Sequence, residues 1–373
     1  MTGEIEIKTE RLRAMLAAER LGGVLLNAQH NFAWATGGRS NRVNASIENG
    51  ACALLYRADG RKFVLASNIE LPRILAEEIS AADFEPVEFA WQDEKAAGDF
   101  VIERAKALLT DDGPLATDLL LDPRVRSVEN LIARCRYELT DAEIERYRSL
   151  GRDAGAALGE IFTEIAPGET EIEIARKTKD ALARRGIDSI VTLAGADDRI
   201  AKFRHPVPTE NIWRKTLLIA VCARRAGLVA SLSRIVCAGA VPDDLKTKTG
   251  AVARVFAAFL AATRPGATGA EIYAKAAAAY RENGFGDELD RHHQGGAAGY
   301  KSRDWTAHPK SGEIVRPNQA FAWNPSITGT KAEETVLLNA GGKIEVITAT
   351  PDFPRIPVEI DGRSFFAPAV LSL

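Results

Sequence analysis

Apolar residues in the first third of the chain change repeatedly between helical and strand-like spacing. Leu12, Met15 and Leu16 follow the three- and four-residue steps of an amphipathic helix, whereas short apolar runs between turn residues are typical of buried strands. Alternation of these two patterns predicts a small α/β domain. The predicted elements are helices over residues 8–19, 70–78 and 99–109 and strands over residues 24–26, 51–56, 62–66 and 119–121.

A capping signal marks where a second domain begins. Thr140 and Glu143 have the spacing of a capping box, which predicts a long helix over residues 141–165. A chain of 373 residues is also too long for one ordinary core. We therefore predict two domains, over residues 1–138 and 139–373.

A turn-and-cap unit occurs twice in the second domain. Each copy has a Pro-Gly turn, a Thr cap, a Glu-Ile pair and a closing Gly, and the copies lie 98 residues apart. This pattern of turn, cap and helix is common in α/β proteins, but agreement of the two copies at every position favours a duplicated half. Two similar halves would enclose a cleft, which is a natural ligand site. The copies are Pro167, Gly168, Thr170, Glu173, Ile174 and Gly186, and Pro265, Gly266, Thr268, Glu271, Ile272 and Gly284.

Composition excludes several classes of partner. Hydrophobic residues make up 46% and charged residues 27%, with a net charge of -3, as in ordinary soluble proteins. Lys and Arg form no block, so we expect no nucleic-acid partner. The longest apolar run, residues 217–223, is too short to span a bilayer, so we expect no membrane partner. The polar, acidic first ten residues lack a signal-peptide pattern and favour a cytoplasmic location.

Three further segments carry a family resemblance. They are Phe203-Arg204-His205-Pro206, the strand pair over residues 217–234, and the run from Lys331 to Leu337. Together with the repeated unit they resemble the creatinase, aminopeptidase P and prolidase superfamily. The resemblance implies an α/β (α+β) fold with a small creatinase-like N-terminal domain, a pita-bread C-terminal domain with two related halves, and a homodimer.

The resemblance also implies five positions for the ligands of a two-metal centre, and four of them hold residues unsuited to that role. The five residues are Ala220, Ser231, Gly296, Asn324 and Glu333. Only Glu333 offers a carboxylate, and one carboxylate does not hold two divalent cations. We therefore expect no metal and no other cofactor.

Creatinase is the member of this superfamily that works without metal. Its catalytic histidine matches His205, its carboxylate-binding arginine matches Arg303, and one of its two substrate-binding glutamates matches Glu333. The other glutamate matches Ser233, which departs from the creatinase pattern but remains a candidate for substrate binding at that position. The resemblance implies a metal-independent hydrolase that cleaves a C–N bond in a small carboxylate-bearing substrate. His205 would act as general base, Glu333 would hold the nitrogen end, and Arg303 would bind the carboxylate.

Four more residues are candidates for substrate binding. His292 and His293 begin a glycine-rich stretch, where the backbone can approach a ligand closely. Trp323 and Asn324 occupy the strand of a former ligand and would stack on and hydrogen-bond to substrate. Glu334 follows Glu333 directly, so in a regular strand it points to the opposite face.

Two alternatives remain open. Peptidase-like domains of this superfamily also serve as inactive binding modules, in histone chaperones and growth-related regulators, and such modules also lack metal ligands. An Xaa-Pro peptidase with an atypical site is the other alternative, since fold alone does not decide function. Residues 31–42, with Trp34, Arg39 and Arg42, lie where creatinase-like proteins reach a partner subunit's site.

Overall fold

The computed structural model describes residues 2–110 and 113–373. The chain divides into two compact units, Met1–Arg136 and Tyr137–Leu373. The boundary predicted after residue 138 lies two residues further along the chain. Within the described residues, no helix is both long and apolar enough to cross a membrane.

The first unit is a mixed six-stranded sheet with helices. Its helices are α1 (Thr2–Glu19), α2 (Gln29–Ala35), α3 (Leu71–Arg73), α4 (Trp91–Ala96), α5 (Phe100–Ala107) and α6 (Glu129–Arg136), with a π-helical turn over Ile74–Glu78. Its strands are β1 (Gly23–Ala28), β2 (Asn49–Arg57), β3 (Lys62–Ser67), β4 (Glu85–Phe89), β5 (Leu115–Thr117) and β6 (Arg126–Ser127). The strand order is β4-β3-β2-β1-β5-β6, with β1 antiparallel to β2 and parallel to β5. The predicted hairpin over residues 51–66 is confirmed.

The strand predicted over residues 119–121 is wrong, because β5 lies earlier and ends at Thr117. The Thr117 hydroxyl donates a hydrogen bond to the carbonyl of Leu119 at 2.6 Å and closes a turn. The buried carboxylate of Asp118 then accepts the backbone N–H groups of Asn27 and Ala28, both at 2.9 Å. The apolar run after Asp118 therefore leaves the sheet, although its composition is that of a strand.

Part of the segment over residues 31–42 belongs to the packed interior of this unit. The resemblance places this segment where creatinase-like proteins reach a partner subunit's site, and its Trp34 ring is fully buried. Asn31 is also fully buried and donates to Asp118 at 3.0 Å and to Glu129 at 2.7 Å. Asn31 and Trp34 therefore belong to the interior of the first unit.

The second unit combines two sheets and two separate hairpins. Its helices are α7 (Asp141–Glu164), α8 (Glu171–Ala183), α9 (Asp198–Lys202), α10 (Asp243–Ala262) and α11 (Gly269–Glu282), with a 3-10 helix over Gly286–Arg291. Its strands are β7 (Asp188–Ala196), β8 (Thr216–Arg225), β9 (Leu228–Cys237), β10 (Gly295–Ala298), β11 (Trp305–Thr306), β12 (Gln319–Trp323), β13 (Ser326–Ile327), β14 (Thr330–Lys331), β15 (Glu334–Leu338), β16 (Ile344–Val346), β17 (Arg355–Ile360), β18 (Arg363–Pro368) and β19 (Val370–Ser372). The sheet orders are β19-β9-β8-β7 and β11-β10-β12-β15-β16. A bridge between Ser233 and Glu333 joins the two sheets.

The duplicated unit is visible in the backbone as well as in the sequence. Thr170 and Thr268 each form a complete capping box at the start of α8 and α11. Each also forms an isolated antiparallel bridge, with Ile212 and Ile314 respectively. The glycines of both turns and both closing glycines have positive φ, which residues without a β-carbon adopt freely. The two halves thus use the same local chemistry to begin equivalent helices.

Candidate functional site

His205 lies in an irregular loop that its two neighbours anchor on either side. Arg204 forms an ion pair with Glu288. Pro206 packs against β7, where a β-carbon on Gly195 would lie only 2.5 Å from the proline ring. The loop therefore positions His205 although it has no regular secondary structure, and the imidazole remains exposed.

Three histidines form one cluster beside this loop. The Nε2 atoms of His205 and His292 are 3.3 Å apart, and the ring centroids of the three pairs are 4.5–6.0 Å apart. His292 and His293 follow the 3-10 helix and precede β10. The side chain of Gln294 donates to the carbonyl of His292 at 2.6 Å and accepts from the Tyr280 hydroxyl at 2.8 Å. Helix α11 thus holds the glycine-rich stretch in place through Tyr280.

The surroundings favour the neutral form of all three imidazoles. Burial lowers the pKa of His292 to about 2 and that of His293 to about 4, and it also lowers the pKa of His205 below its ordinary value of 6.5. The positive charge of Lys331 acts in the same direction on all three rings. In its neutral form each ring has one N–H donor and one unprotonated nitrogen that can accept a hydrogen bond.

Glu333 presents a buried carboxylate whose two oxygens have different surroundings. Oε2 accepts a hydrogen bond from the Ser233 hydroxyl at 2.5 Å and contacts the Lys331 ammonium at 2.7 Å. Oε1 has a longer contact, 3.4 Å, to the guanidinium of Arg303. Burial alone would raise the pKa of Glu333, but the charges of Lys331 and Arg303 outweigh it and hold this pKa at about 2. The carboxylate is therefore ionised, and Oε1 retains capacity to accept a further hydrogen bond.

Arg303 uses only part of its hydrogen-bonding fork inside the protein. One terminal nitrogen donates to the carbonyl of Ser302 at 2.5 Å and to the Ser231 hydroxyl at 3.4 Å. Its buried Nε–H finds no acceptor within the described residues. A guanidinium held in this way can still form the paired hydrogen bonds that bind a carboxylate.

Trp323 and Asn324, both predicted to bind substrate, have different surroundings. The Trp323 ring is fully buried and stacks on Phe259 at a centroid distance of 4.6 Å, so it is a core residue and the predicted stacking on substrate is wrong. The side-chain oxygen of Asn324 is buried and lacks a partner among the described residues. A β-carbon on Gly295 would lie 2.9 Å from that oxygen. No described contact joins Asn324 to the histidine cluster or to Glu333.

The structure adds Lys331 to the site. Residues two apart in an extended segment point to the same side, so the spacing of Lys331 and Glu333 already contained this signal. The side chain of Lys331 is 7% exposed and lies beside His292 in a small cleft.

Comparison with known proteins identifies the family. Residues 145–345 match the sequence pattern of metallopeptidase family M24, which is more than half of the chain. The chain belongs to this family. No curated protein sequence matches it. Because of the family match, this chain is a hydrolase of the superfamily that the sequence resembles, with the two-domain pita-bread fold.

Solved structures agree with this fold. The prolidase from Pyrococcus horikoshii OT3 has a TM-score of 0.76 and 18% identity, covering 92% of this chain and 98% of the prolidase. Dipeptidase PepE from Mycobacterium ulcerans has a TM-score of 0.77 and 16% identity, covering 94% and 97%. The N-terminal domain of FACT complex subunit SPT16 from Cicer arietinum has a TM-score of 0.71 and 12% identity, covering 93% and 97%. At these identities the likeness establishes the fold alone.

A metallopeptidase family implies metal ions, but the residues at the five expected positions do not fit a dinuclear centre. A β-carbon on Gly296 would lie 1.9 Å from the carbonyl oxygen of Trp305, so the backbone leaves no room for an imidazole there. Ala220 offers no ligand atom. Both oxygens of Glu333 already contact cationic side chains. One carboxylate with two cations beside it does not match the anionic ligand set that two divalent metals need.

Proposed function

We propose that this hydrolase is of the creatinase type and cleaves a C–N bond in a small carboxylate-bearing substrate without a metal ion. The supporting observation is an exposed His205 imidazole whose Nε2 lies 3.3 Å from that of His292, with Arg303 in contact with the nearby Glu333 carboxylate. The charge of Glu333 influences the pKa of His205. Strongly shifted pKa values around an exposed imidazole are typical of catalytic sites.

Each of the three residues has one role in this proposal. His205 accepts a proton from the attacking water, since its neutral form dominates at neutral pH. Oε1 of Glu333 accepts a hydrogen bond from the substrate nitrogen. Arg303 binds the substrate carboxylate through its guanidinium fork. Ser233 donates to Glu333 and orients it.

The decisive experiment screens small amide, guanidino and dipeptide acids, Xaa-Pro dipeptides included, and then replaces the general base. His205→Ala and His205→Gln should lower turnover roughly 10²–10⁴-fold, the usual contribution of general base catalysis. The control is His308→Ala, since His308 is exposed and bonds only to the backbone of Lys310 in the described structure. Turnover by His205→Ala at the wild-type rate would show that the mechanism is wrong.

Metal content tests the other part of the proposal. The purified protein should carry well below one equivalent of Mn, Co, Zn or Fe per chain, and treatment with a chelator should leave turnover unchanged. Elemental analysis that finds about two metals per chain, removable with loss of activity, would refute metal independence.

An Xaa-Pro dipeptidase is the second candidate, favoured by the family and by the likeness to the Pyrococcus prolidase. The substrate screen separates the two, because this candidate requires turnover of Xaa-Pro dipeptides and none of guanidino acids. If no compound is turned over and a protein binds instead, the inactive binding module is the better description.

A further inference from the structure

The charges around Glu333 make the site cationic. Lys331 and Arg303 each carry one positive charge, Glu333 carries one negative charge, and the neighbouring imidazoles are neutral. The three charged groups therefore leave one net positive charge in a mostly buried position, where electrostatic interactions are stronger than in water. A two-metal centre, by contrast, surrounds its cations with carboxylates.

Lys331 is held rigidly in this position. It ends strand β14, which pairs with β13 through Ser326. The preceding Thr330 exchanges a hydrogen bond of 3.0 Å with Thr249 on α10. The ammonium meets Glu333 through Oε2 only, and an ammonium has three donors. The cleft that Lys331 and His292 line has a volume of about 10 Å³, which is room for one water-sized group. The remaining donors of the ammonium can therefore bind one oxygen atom of a ligand on the side of His292.

We infer that Lys331 supplies the positive charge that metal ions supply elsewhere in the family, so that this site binds a small oxyanion through the Lys331 ammonium. The role of Lys331 in catalysis rests on the proposed function. The binding of an oxyanion by Lys331 does not require turnover. A fixed ammonium aimed at the place where negative charge develops stabilises that charge without reorganisation.

The proposed reaction balances with these groups alone. Water forms a bond to the electrophilic carbon of the scissile C–N bond and gives one proton to His205. Negative charge develops on the atom bound to that carbon, an oxygen in an amide, where Lys331 stabilises it. The C–N bond then breaks, and the proton on His205 passes to the leaving nitrogen. The second water proton remains with the oxygen-bearing product.

A single metal ion held by the three histidines is the competing interpretation. Their ligand nitrogens lie within 4.8 Å of one another, which suits a three-histidine site. However, the positive charge of Lys331 acts on all three rings and that of Arg303 on His293. Charges that disfavour a proton on these rings also disfavour a divalent cation. The electrostatics therefore favour an anion over a metal.

The test uses inorganic phosphate as the probe, measured by calorimetry on the full chain in a buffer free of other multivalent anions. Wild type should bind phosphate, and Lys331→Met should bind it at least about tenfold more weakly, which is the effect of losing a hydrogen bond to a charged group. Lys331→Arg should retain binding within a few-fold. Lys310→Met is the matched control, because Lys310 is exposed. Unchanged binding by a folded Lys331→Met protein would overturn the inference.

Two further measurements cover the case in which Lys331→Met does not fold. Glu333→Gln removes the competing carboxylate, so phosphate should bind several-fold more tightly, and unchanged or weaker binding contradicts the inference. In a separate titration with ZnCl₂, wild type should show no stoichiometric binding. Binding of one Zn²⁺ that His292→Ala abolishes would support the metal site instead. Since neither experiment needs a substrate, this inference can fail while the His205 mechanism stands.

Discussion

Adjacent glutamates in the second unit form two buried clusters on opposite faces of one strand segment. Glu334 pairs with Arg234 at 2.8 Å and accepts from the Thr348 hydroxyl at 2.5 Å. Arg234 also donates to the hydroxyl of Thr350 and to the carbonyls of Ser233 and Thr348, at 2.8–2.9 Å. Every nitrogen of Arg234 thus has a partner, as buried polar groups in a structural role require.

The Glu333 cluster is also charged and buried, but it is incompletely satisfied. The buried Nε of Arg303 and Nδ1 of His292 have no partner within the described residues. Arg303 meets Glu333 at 3.4 Å rather than 2.8 Å. Two cations hold the pKa of Glu333 at about 2, whereas burial raises the pKa of Glu334. Burial and charge alone do not separate these two clusters; the unused hydrogen-bonding capacity of Arg303 and His292 does.

The largest expected effect tests the structural cluster. Arg234→Met should lower the free energy of unfolding by about 3–5 kcal/mol, because it leaves the Glu334 carboxylate buried without its cation. Arg303→Met should cost clearly less, because Lys331 remains on Glu333. Urea unfolding of both variants measures this difference. Equal losses would remove the distinction between the two clusters.

The pH dependence of turnover tests the functional cluster. Only neutral His205 accepts a proton, so kcat/KM should fall about tenfold per pH unit as pH drops below the His205 pKa. This pKa lies below 6.5 because of burial first and of Lys331 second. In Lys331→Met the pKa of His205 should rise, so the acid limb of the pH–rate profile should move to higher pH. An acid limb that does not move would show that the charge of Lys331 does not act on the His205 imidazole.

A smaller change concerns the guanidinium. Arg303→Lys should raise the KM for a carboxylate substrate roughly tenfold, since an ammonium cannot form two parallel hydrogen bonds to one carboxylate. Steady-state kinetics measures this, with turnover of saturated enzyme nearly retained. A KM equal to that of wild type would assign Arg303 to the structural class instead.

The smallest expected effect concerns the N-cap threonines of α8 and α11, which belong to neither cluster. Thr170→Ala and Thr268→Ala should each lower the free energy of unfolding by about 1 kcal/mol, because each removes an N-cap hydroxyl. The double variant should show the sum of the two losses. Neither variant should change phosphate binding, and weaker binding in either would mean that helix starts and site are coupled.

Local signals in the sequence predicted much of the second unit. The capping boxes at Thr140, Thr170 and Thr268 are present, and α7 ends one residue before its predicted end. Capping depends on residues three apart, so the sequence contains the whole interaction. The homodimer and the cytoplasmic location stay predictions.

The sequence by itself determined the starts of α7, α8 and α11 and the repeated turn-and-cap unit, since each depends on residue identity at short range. The loss of four metal-ligand positions stays a prediction from the resemblance. Tertiary structure alone decided that Trp323 packs in the core beside Phe259 and that apolar residues after Asp118 leave the sheet. It also decided that Lys331 and Arg303 take separate oxygens of Glu333. Such contacts join residues far apart in the chain, and their electrostatics depend on burial, which no local pattern specifies.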